Sequence, residues 1–246
     1  MIPIGHQPTK QKIIPVIVYL LVIINIYVFL LEILLGEPFI VGYSAIPYEI
    51  TNNIDLVKPG FIDGLGKIPQ APGPDPIYLT LLTSMFMHGS LLHIAGNMIY
   101  LWVFGEEIEG CFGHFRLLIF YLLCGIIASL AHIVNQPLAI IPSLGASGAI
   151  AGILGAYLVT FPTHKIKVII PVGIFASIVE LPAIFVVGFW FILQLLGQFS
   201  TAISSSGDGV AYMAHIGGFL AGIFFSRFFY RNEVLTIDEY SAKYPY

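Results

Sequence analysis

Charged residues are scarce in this 246-residue chain: Asp, Glu, Lys and Arg make up 10% of it, whereas 57% is hydrophobic. Soluble domains are roughly 25% charged and about 45–50% apolar. With a mean hydropathy of +0.90, the composition predicts a protein that crosses a membrane several times. The net charge of −4 is small and the basic residues are scattered, so we expect no nucleic-acid partner.

Motifs for metals and disulfides are also missing. Cys111 and Cys124 are the two cysteines, and their spacing fits neither a disulfide framework nor a zinc site. No H-E-x-x-H segment indicates a zinc protease, and no pair of aspartates within helices indicates an aspartyl protease. The G-x-S-x-G pattern of a hydrolase elbow is absent too. We therefore expect no metal and no cofactor.

Long apolar runs predict an all-α bundle of six transmembrane helices. The bundle covers residues 13–230, between an N-terminal segment 1–12 and a C-terminal tail 231–246. The first run is long enough to span about 30 Å of hydrocarbon and too long for a signal-peptide core. The predicted spans are Ile13–Leu35, Ser90–Glu106, Phe115–Asn135, Ser147–Phe161, Pro182–Leu196 and Val210–Tyr230.

Two segments between these helices are unusual. Residues 36–89 form a large first loop, which we expect to be partly embedded and to be broken near residues 88–90 before the second helix. Residues 168–179 are predicted to be a partly interfacial lead-in to the fifth helix. Glu32 is expected to reach the interface from the end of the first helix.

Lysine and arginine set the predicted orientation. With the N-terminus inside, eight basic residues fall on the cytoplasmic side and two, Lys58 and Lys67, on the other side. Both termini are therefore predicted to be cytoplasmic. The eight are Lys10, Lys12, Arg116, Lys165, Lys167, Arg227, Arg231 and Lys243.

A run of four small residues, Gly145 to Gly148, surrounds Ser147 at the start of the fourth predicted helix. The first N–H groups of a helix have no intrahelical partners and favour an anion in front of them. A serine here would have an oxyanion site beside its own hydroxyl. The alternative is that the small residues only allow close helix packing.

Strongly polar residues inside predicted spans are costly and mark functional sites. His93 and Asn97 are four apart, on one face of the second helix, and His215 lies in the sixth. The predicted orientation places these residues and Ser147 at similar depth, in the outer third of the membrane. Packing of Gly218 and Gly222 against a small face of the fourth helix would bring His215 to Ser147.

These patterns together resemble the rhomboid family of intramembrane serine proteases. The resemblance covers about residues 77–230. It rests on four groups of residues: His88, His93 and Asn97; Gly145-Ala146-Ser147-Gly148; Ala214-His215 with Gly218 and Gly222; and Gly105, Glu109 and Gly113.

The resemblance implies a role for each residue. Ser147 is the nucleophile and His215 the general base, while His93, Asn97 and the Ser147 N–H form the oxyanion hole. Supporting, structural roles fall to His88, Glu109 (in the loop after the second helix), Gly145, Gly148, Gly218 and Gly222.

Two points differ from a full match to the family. Ala151 stands where some members carry an aromatic residue, and the Trp-Arg pair of the first loop is missing. Asp208, seven residues before His215, could complete a triad only through a bent loop.

The predicted function is hydrolysis of peptide bonds in or near the transmembrane segments of single-span membrane proteins, within the lipid bilayer. The predicted location is a prokaryotic plasma membrane, with the active site towards the outer face. Two alternatives are a catalytically inactive rhomboid-like scaffold and a small transporter, although inverted repeats and midplane charges are not evident. The sequence does not indicate an oligomeric state.

Overall fold

The computed structural model describes residues 1–6, 13–62, 66–172, 175–204 and 210–230. Lys10, Lys12, Asp208 and the predicted tail 231–246 lie outside the described residues. In chain order the elements are β1 Ile2–His6, α1 Val16–Leu35, α2 Glu37–Tyr43, α3 Pro47–Asn52, β2 Gly60–Ile62, β3 Gly66–Ile68, α4 Thr80–Thr83 between two 3₁₀ turns (Ile77–Leu79 and Ser84–Phe86), α5 Leu91–Phe112, α6 His114–Asn135, α7 Ser147–Thr160, β4 Lys165–Val172, β5 Phe175–Pro182, α8 Ala183–Ser204 and α9 Tyr212–Phe229.

Long helices occur at each of the six predicted positions, but the number of membrane spans is not confirmed. Among the described residues, α1, α6 and Ala183–Ala202 of α8 are long and apolar enough to cross a membrane. A fourth candidate is a pair, Ile77–Phe86 with Leu91–Phe112, bent by 78° at the break predicted near residues 88–90. The count of six spans therefore remains a prediction.

The second helix is longer than predicted. Instead of ending at Glu106, α5 continues to Phe112 and stops at Gly113, which has a φ of +80° and donates its N–H to the Glu109 carbonyl at 2.7 Å. Glu109 therefore lies in the helix and not in a loop. The prediction was wrong because the glutamates suggested a turn, whereas the Glu109 carboxylate has buried partners.

The all-α prediction also needs correction, because the protein contains a three-stranded antiparallel sheet in the order β1-β4-β5. Residues 168–179 belong to the β4–β5 hairpin and are not a lead-in to a helix. Buried and exposed side chains alternate along β4: Ile166 and Val168 are buried, and Lys167 between them is exposed. The predicted N-terminal segment supplies β1, which pairs with β4.

The first loop is folded. Val41, Ile46 and Ala71 form a small apolar cluster of their own. Ala45 and Ser143 exchange two backbone hydrogen bonds of 2.9 Å, which ties this loop to the segment before α7. Its embedding in the membrane remains a prediction.

Helix α7 lies at the centre of the core, and all its residues from Gly148 to Tyr157 are buried. Contacts of Gly148 with Gly218, and of Gly152 with Gly222, show that α7 and α9 run in the same direction. His93 packs near Gly145 and Phe104 near Tyr157, so α5 runs parallel to them. We call the first turns of α5, α7 and α9 the serine end, and the β1-β4-β5 sheet with the last turns of α5 and α7 the sheet end.

Candidate active site at the serine end

Ser147 and His215 meet at the serine end. Ser147 is the first residue of α7, and His215 lies in the first turn of α9. The His215 Nε2 atom is 2.7 Å from the Ser147 Oγ atom. Both side chains are partly buried. A serine hydroxyl this close to an imidazole nitrogen has the geometry of a nucleophile beside a general base.

Glycines allow this contact between two short side chains. A methyl group added at Gly218 would overlap the Gly148 carbonyl oxygen, and one added at Gly222 would overlap the Gly152 carbonyl oxygen. The two helices thus touch along their backbones. The close α7–α9 pair expected from the glycine spacing is present, and it brings His215 to Ser147.

Gly145 lies between the His93 ring and the Ser147 hydroxyl. Its φ of +129° strains any other residue. An added methyl group would also lie 2.9 Å from His93 Nε2 and 3.6 Å from Ser147 Oγ. The Gly145 N–H donates to the Ser84 carbonyl at 2.8 Å. The loop before Ser147 is therefore held by the segment before α5.

Asn97 is held by His88. The Asn97 Nδ2 atom is 2.9 Å from His88 Nε2, and His88 Nδ1 faces the Phe86 carbonyl at 3.3 Å. With its Nδ1 protonated, His88 donates to Phe86 and accepts one N–H from Asn97. The second amide N–H of Asn97 has no acceptor among the described residues. The His88 ring also meets the His93 ring edge-on, with centroids 5.1 Å apart.

Helix α1 takes part in this arrangement through Glu32. The side chain is only 2% exposed, and its Oε1 accepts the His88 N–H at 2.7 Å. The prediction that Glu32 reaches the interface is therefore wrong. The hydrogen bond with His88, which lies 56 positions further along the chain, holds the Glu32 carboxylate inside the protein.

The local field at the serine end favours negative charge. Three parallel helices begin there, and each helix N-terminus carries about half a positive charge. The first N–H groups of α7, including that of Ser147, have no carbonyl partner within the helix. An oxyanion in front of Ser147 would meet these donors.

A small cavity opens beside Ser147. Its volume is about 20 Å³, and its polar lining includes Ser84, Ser129 and Ser143. About 10–15 Å³ is enough for one water molecule. The site can therefore hold a water next to the nucleophile.

Sequence reasoning missed Gln194. This buried side chain of α8 places its Oε1 atom 2.8 Å from His215 Nδ1. The available signal was an amide inside the apolar run that predicted the fifth helix, Pro182–Leu196, since polar groups inside such helices require partners.

Glu109 is not part of this site. At the sheet end its two carboxylate oxygens accept the N–H groups of Ile17 and Val18, at 2.9 and 2.8 Å. The His114 ring also contacts this carboxylate. Glu109 thus caps the start of α1 from α5. Over the part of the chain that is described, no group of three or more His, Cys, Asp or Glu side chains is placed to hold a metal ion.

Comparisons with known proteins identify the family to which this chain is similar. A family model described as the Rhomboid domain matches residues 76–232. The rhomboid protease GluP of Bacillus subtilis (strain 168) is 35% identical over 144 residues, which are 58% of this chain and 24% of that protein. The mitochondrial presenilin-associated rhomboid-like protein of Homo sapiens is 32% identical over 148 residues, 59% of this chain and 36% of that protein.

A third relative is rhomboid protein 1, mitochondrial, of Saccharomyces cerevisiae (strain ATCC 204508 / S288c), which is 29% identical over 158 residues. Those residues are 60% of this chain and 40% of that protein. The match thus spans well under half the length of each of these relatives. The family model nevertheless covers more than half of this chain, including every residue of the site except Glu32, and the chain belongs to the rhomboid family of membrane proteins.

Proposed function

We propose that the protein is an intramembrane serine endopeptidase that uses Ser147 as nucleophile and His215 as general base. The contact of 2.7 Å between Ser147 Oγ and His215 Nε2 carries this proposal. Family membership supports it, since one relative is itself named a rhomboid protease.

The reaction proceeds by acyl transfer. His215 Nε2 takes the Ser147 hydroxyl proton as Oγ attacks the substrate carbonyl carbon. The tetrahedral intermediate then expels the amine, which takes that proton from His215. A water molecule next hydrolyses the acyl-serine, again with His215 as base. The cavity beside Ser147 is large enough to hold that water.

The oxyanion is stabilised by three groups: the Ser147 N–H, the His93 ring and the second amide N–H of Asn97. The hydrogen bond from Asn97 to His88 fixes the amide, and Glu32 in turn holds the His88 backbone. Because these donors are fixed before the reaction, little reorganisation is needed as negative charge develops.

The substrates are single-span membrane proteins cut in or near the transmembrane segment. A transmembrane helix hides each carbonyl in its own hydrogen-bond ladder, so the segment must unwind before Ser147 can reach it. Gly costs a helix about 1 kcal/mol relative to Ala. We expect cleavage after a small residue, towards the outer face of the membrane. In this orientation both termini of the enzyme lie in the cytoplasm.

The test is cleavage of a single-span reporter in proteoliposomes, with an all-leucine helix compared with versions carrying Gly or Pro at several depths. The wild type should cleave the weakened helices, and Ser147→Ala and His215→Ala should not. A fluorophosphonate should label the wild type but not Ser147→Ala. Turnover by Ser147→Ala would contradict the mechanism.

An inactive scaffold is the second candidate, because some relatives are named only as rhomboid-like proteins. It predicts that a well-folded wild type neither cleaves any reporter nor reacts with the fluorophosphonate. If the wild type cleaves the all-leucine helix as fast as the helices with Gly or Pro, the protease proposal stands and the unwinding step is rejected.

A further inference from the structure

His215 has a partner on each ring nitrogen. Ser147 lies at Nε2 on one side, at 2.7 Å, and Gln194 Oε1 lies at Nδ1 on the other, at 2.8 Å. Gln194 comes from α8, 21 residues earlier in the chain, and only 7% of it is exposed. The imidazole is thus held between two helices, α7 and α8.

The direction of the Gln194 amide is fixed by a second hydrogen bond. Its Nε2 donates to the Trp190 carbonyl, one turn back on α8, at 3.0 Å. The oxygen of the amide must then be the atom that faces His215. An amide oxygen can only accept, so the hydrogen atom between Gln194 and His215 belongs to Nδ1.

A proton on Nδ1 has a direct consequence at the other nitrogen. In a neutral imidazole one nitrogen is a donor and the other an acceptor. With Nδ1 donating to Gln194, Nε2 carries the lone pair that faces the Ser147 hydroxyl. This is the tautomer that a general base requires, and the opposite tautomer cannot take the serine proton.

Aromatic packing restricts the ring on the same side. Trp190, which accepts from Gln194 through its backbone, places its indole ring 5.8 Å from the His215 ring, tilted by 40°. The same indole lies 6.1 Å from the Phe219 ring of α9. One segment of α8 therefore supplies both a hydrogen bond and a packing surface for His215.

We infer that Gln194 is a positioning residue that holds His215 in the tautomer able to deprotonate Ser147. The inference rests on the proposed serine protease function. A neutral amide orients the ring but cannot neutralise the imidazolium formed during the reaction. The contribution of Gln194 to catalysis is therefore smaller than that of the aspartate in a Ser-His-Asp triad.

The experiment compares two substitutions of similar size. Gln194→Met keeps the length of the side chain but has no oxygen acceptor. Gln194→Glu keeps an acceptor oxygen whether its carboxyl group is ionised or protonated. Both lose the amide donor to Trp190, so the pair isolates the contact with His215. Gln198→Met, one turn further along α8, is the matched control.

We expect Gln194→Met to lower kcat by roughly 10- to 100-fold, a fraction of the effect of removing a general base, with KM within about twofold. Gln194→Glu should keep kcat within about threefold of the wild type, and Gln198→Met should not change it. A Gln194→Met enzyme with normal kcat overturns the inference. So does a Gln194→Glu enzyme that loses as much activity as Gln194→Met while remaining folded.

A second measurement does not depend on turnover. Nitrogen-15 NMR of labelled histidine in the full-length wild type reports which ring nitrogen of His215 carries the proton, with His215→Gln used to assign the signal. Protonated Nδ1 supports the inference, and protonated Nε2 in the neutral ring overturns it. If the wild type fails to cleave or to label at Ser147, the proposed function fails, whereas the tautomer result still stands.

Discussion

The serine end and the sheet end of this protein are built in different ways. At the serine end, glycines bring two helix backbones into contact, and the polar side chains are held mainly by hydrogen bonds between amides and histidine rings, with the Glu32 carboxylate on the backbone of His88. At the sheet end, carboxylates and histidines tie together chain segments that are far apart in sequence. Under the proposed function, the first arrangement sets the position of the reacting atoms, whereas the second joins the N-terminal segments to the bundle.

This difference predicts different results for mutation. Substitutions at the serine end should change kcat more than stability, because under the proposed function they displace or remove groups that act on the substrate. Substitutions at the sheet end should lower stability and leave kcat of the folded protein nearly unchanged.

The largest of these effects is expected at the oxyanion donors. Asn97→Ala and His93→Ala should each lower kcat by roughly 10- to 1,000-fold, as expected for loss of one donor. KM should change little, since these groups act mainly on the transition state. Kinetics on the reporter substrate measure both values. An increase in KM alone would make the two residues substrate-binding groups.

The next effect concerns the glycine contact. In Gly218→Ala the added methyl group overlaps the Gly148 carbonyl oxygen, so α9 must move away from α7. A shift of about 1 Å in a catalytic group can cost about 100-fold in rate, and we expect kcat to fall by roughly that factor.

Gly188→Ala is the control for this prediction, because no atom lies within 4 Å of its added methyl group. It should keep full activity and gain up to about 1 kcal/mol of helix stability. Equal activity of Gly218→Ala and Gly188→Ala would show that the close backbone contact does not position His215.

At the sheet end, Glu109→Gln tests the cap on α1. An amide N–H would then face a backbone donor, Ile17 or Val18, and an unsatisfied buried group costs about 1–3 kcal/mol. We expect thermal unfolding in detergent about 2–12 °C lower, with kcat within twofold at low temperature. Glu106→Gln, at a more exposed carboxylate, should shift Tm less. A large loss of kcat in folded Glu109→Gln would contradict the separation of the two ends.

The smallest effect is a pH dependence in the first loop, which packs on the serine end. Burial raises the pKa of Glu49 from an ordinary 4.5 to about 7, although its carboxylate accepts the Leu56 N–H. The neighbouring Asp55 acts in the same direction as burial. Between pH 4.5 and about 7, Glu49 therefore takes up a proton when the protein folds. The contribution of protonated Glu49 to the free energy of unfolding is fully present below pH 4.5 and is lost as the pH rises through about 7.

Glu49→Gln removes this titration. The Tm of the variant should vary less between pH 4.5 and 7 than that of the wild type, and it should exceed the wild-type value by a few degrees above pH 7. Thermal unfolding across that pH range is the measurement. Parallel Tm curves for the two proteins would show that Glu49 does not change protonation on folding.

The sequence by itself determined the long helices and part of the helix packing of this protein. Apolar runs placed the long helices, because helix formation and hydropathy are properties of neighbouring residues. The spacing of Gly218 and Gly222 indicated a close helix contact, and the i, i+4 spacing of His93 and Asn97 placed them on one face. The parallel direction of α5, α7 and α9 was predicted from the alternating direction of the predicted spans, and the helix contacts show the same direction.

Only the tertiary structure decided which polar groups pair with each other. Gln194 with His215, Glu32 with His88, and Glu109 with the start of α1 are contacts across 21, 56 and 92 positions. The pairing of β1 with β4 was missed for the same reason, since it joins residues more than 150 positions apart. Local sequence sets helices and faces, but a hydrogen bond between distant segments depends on how whole helices pack, which no local pattern records.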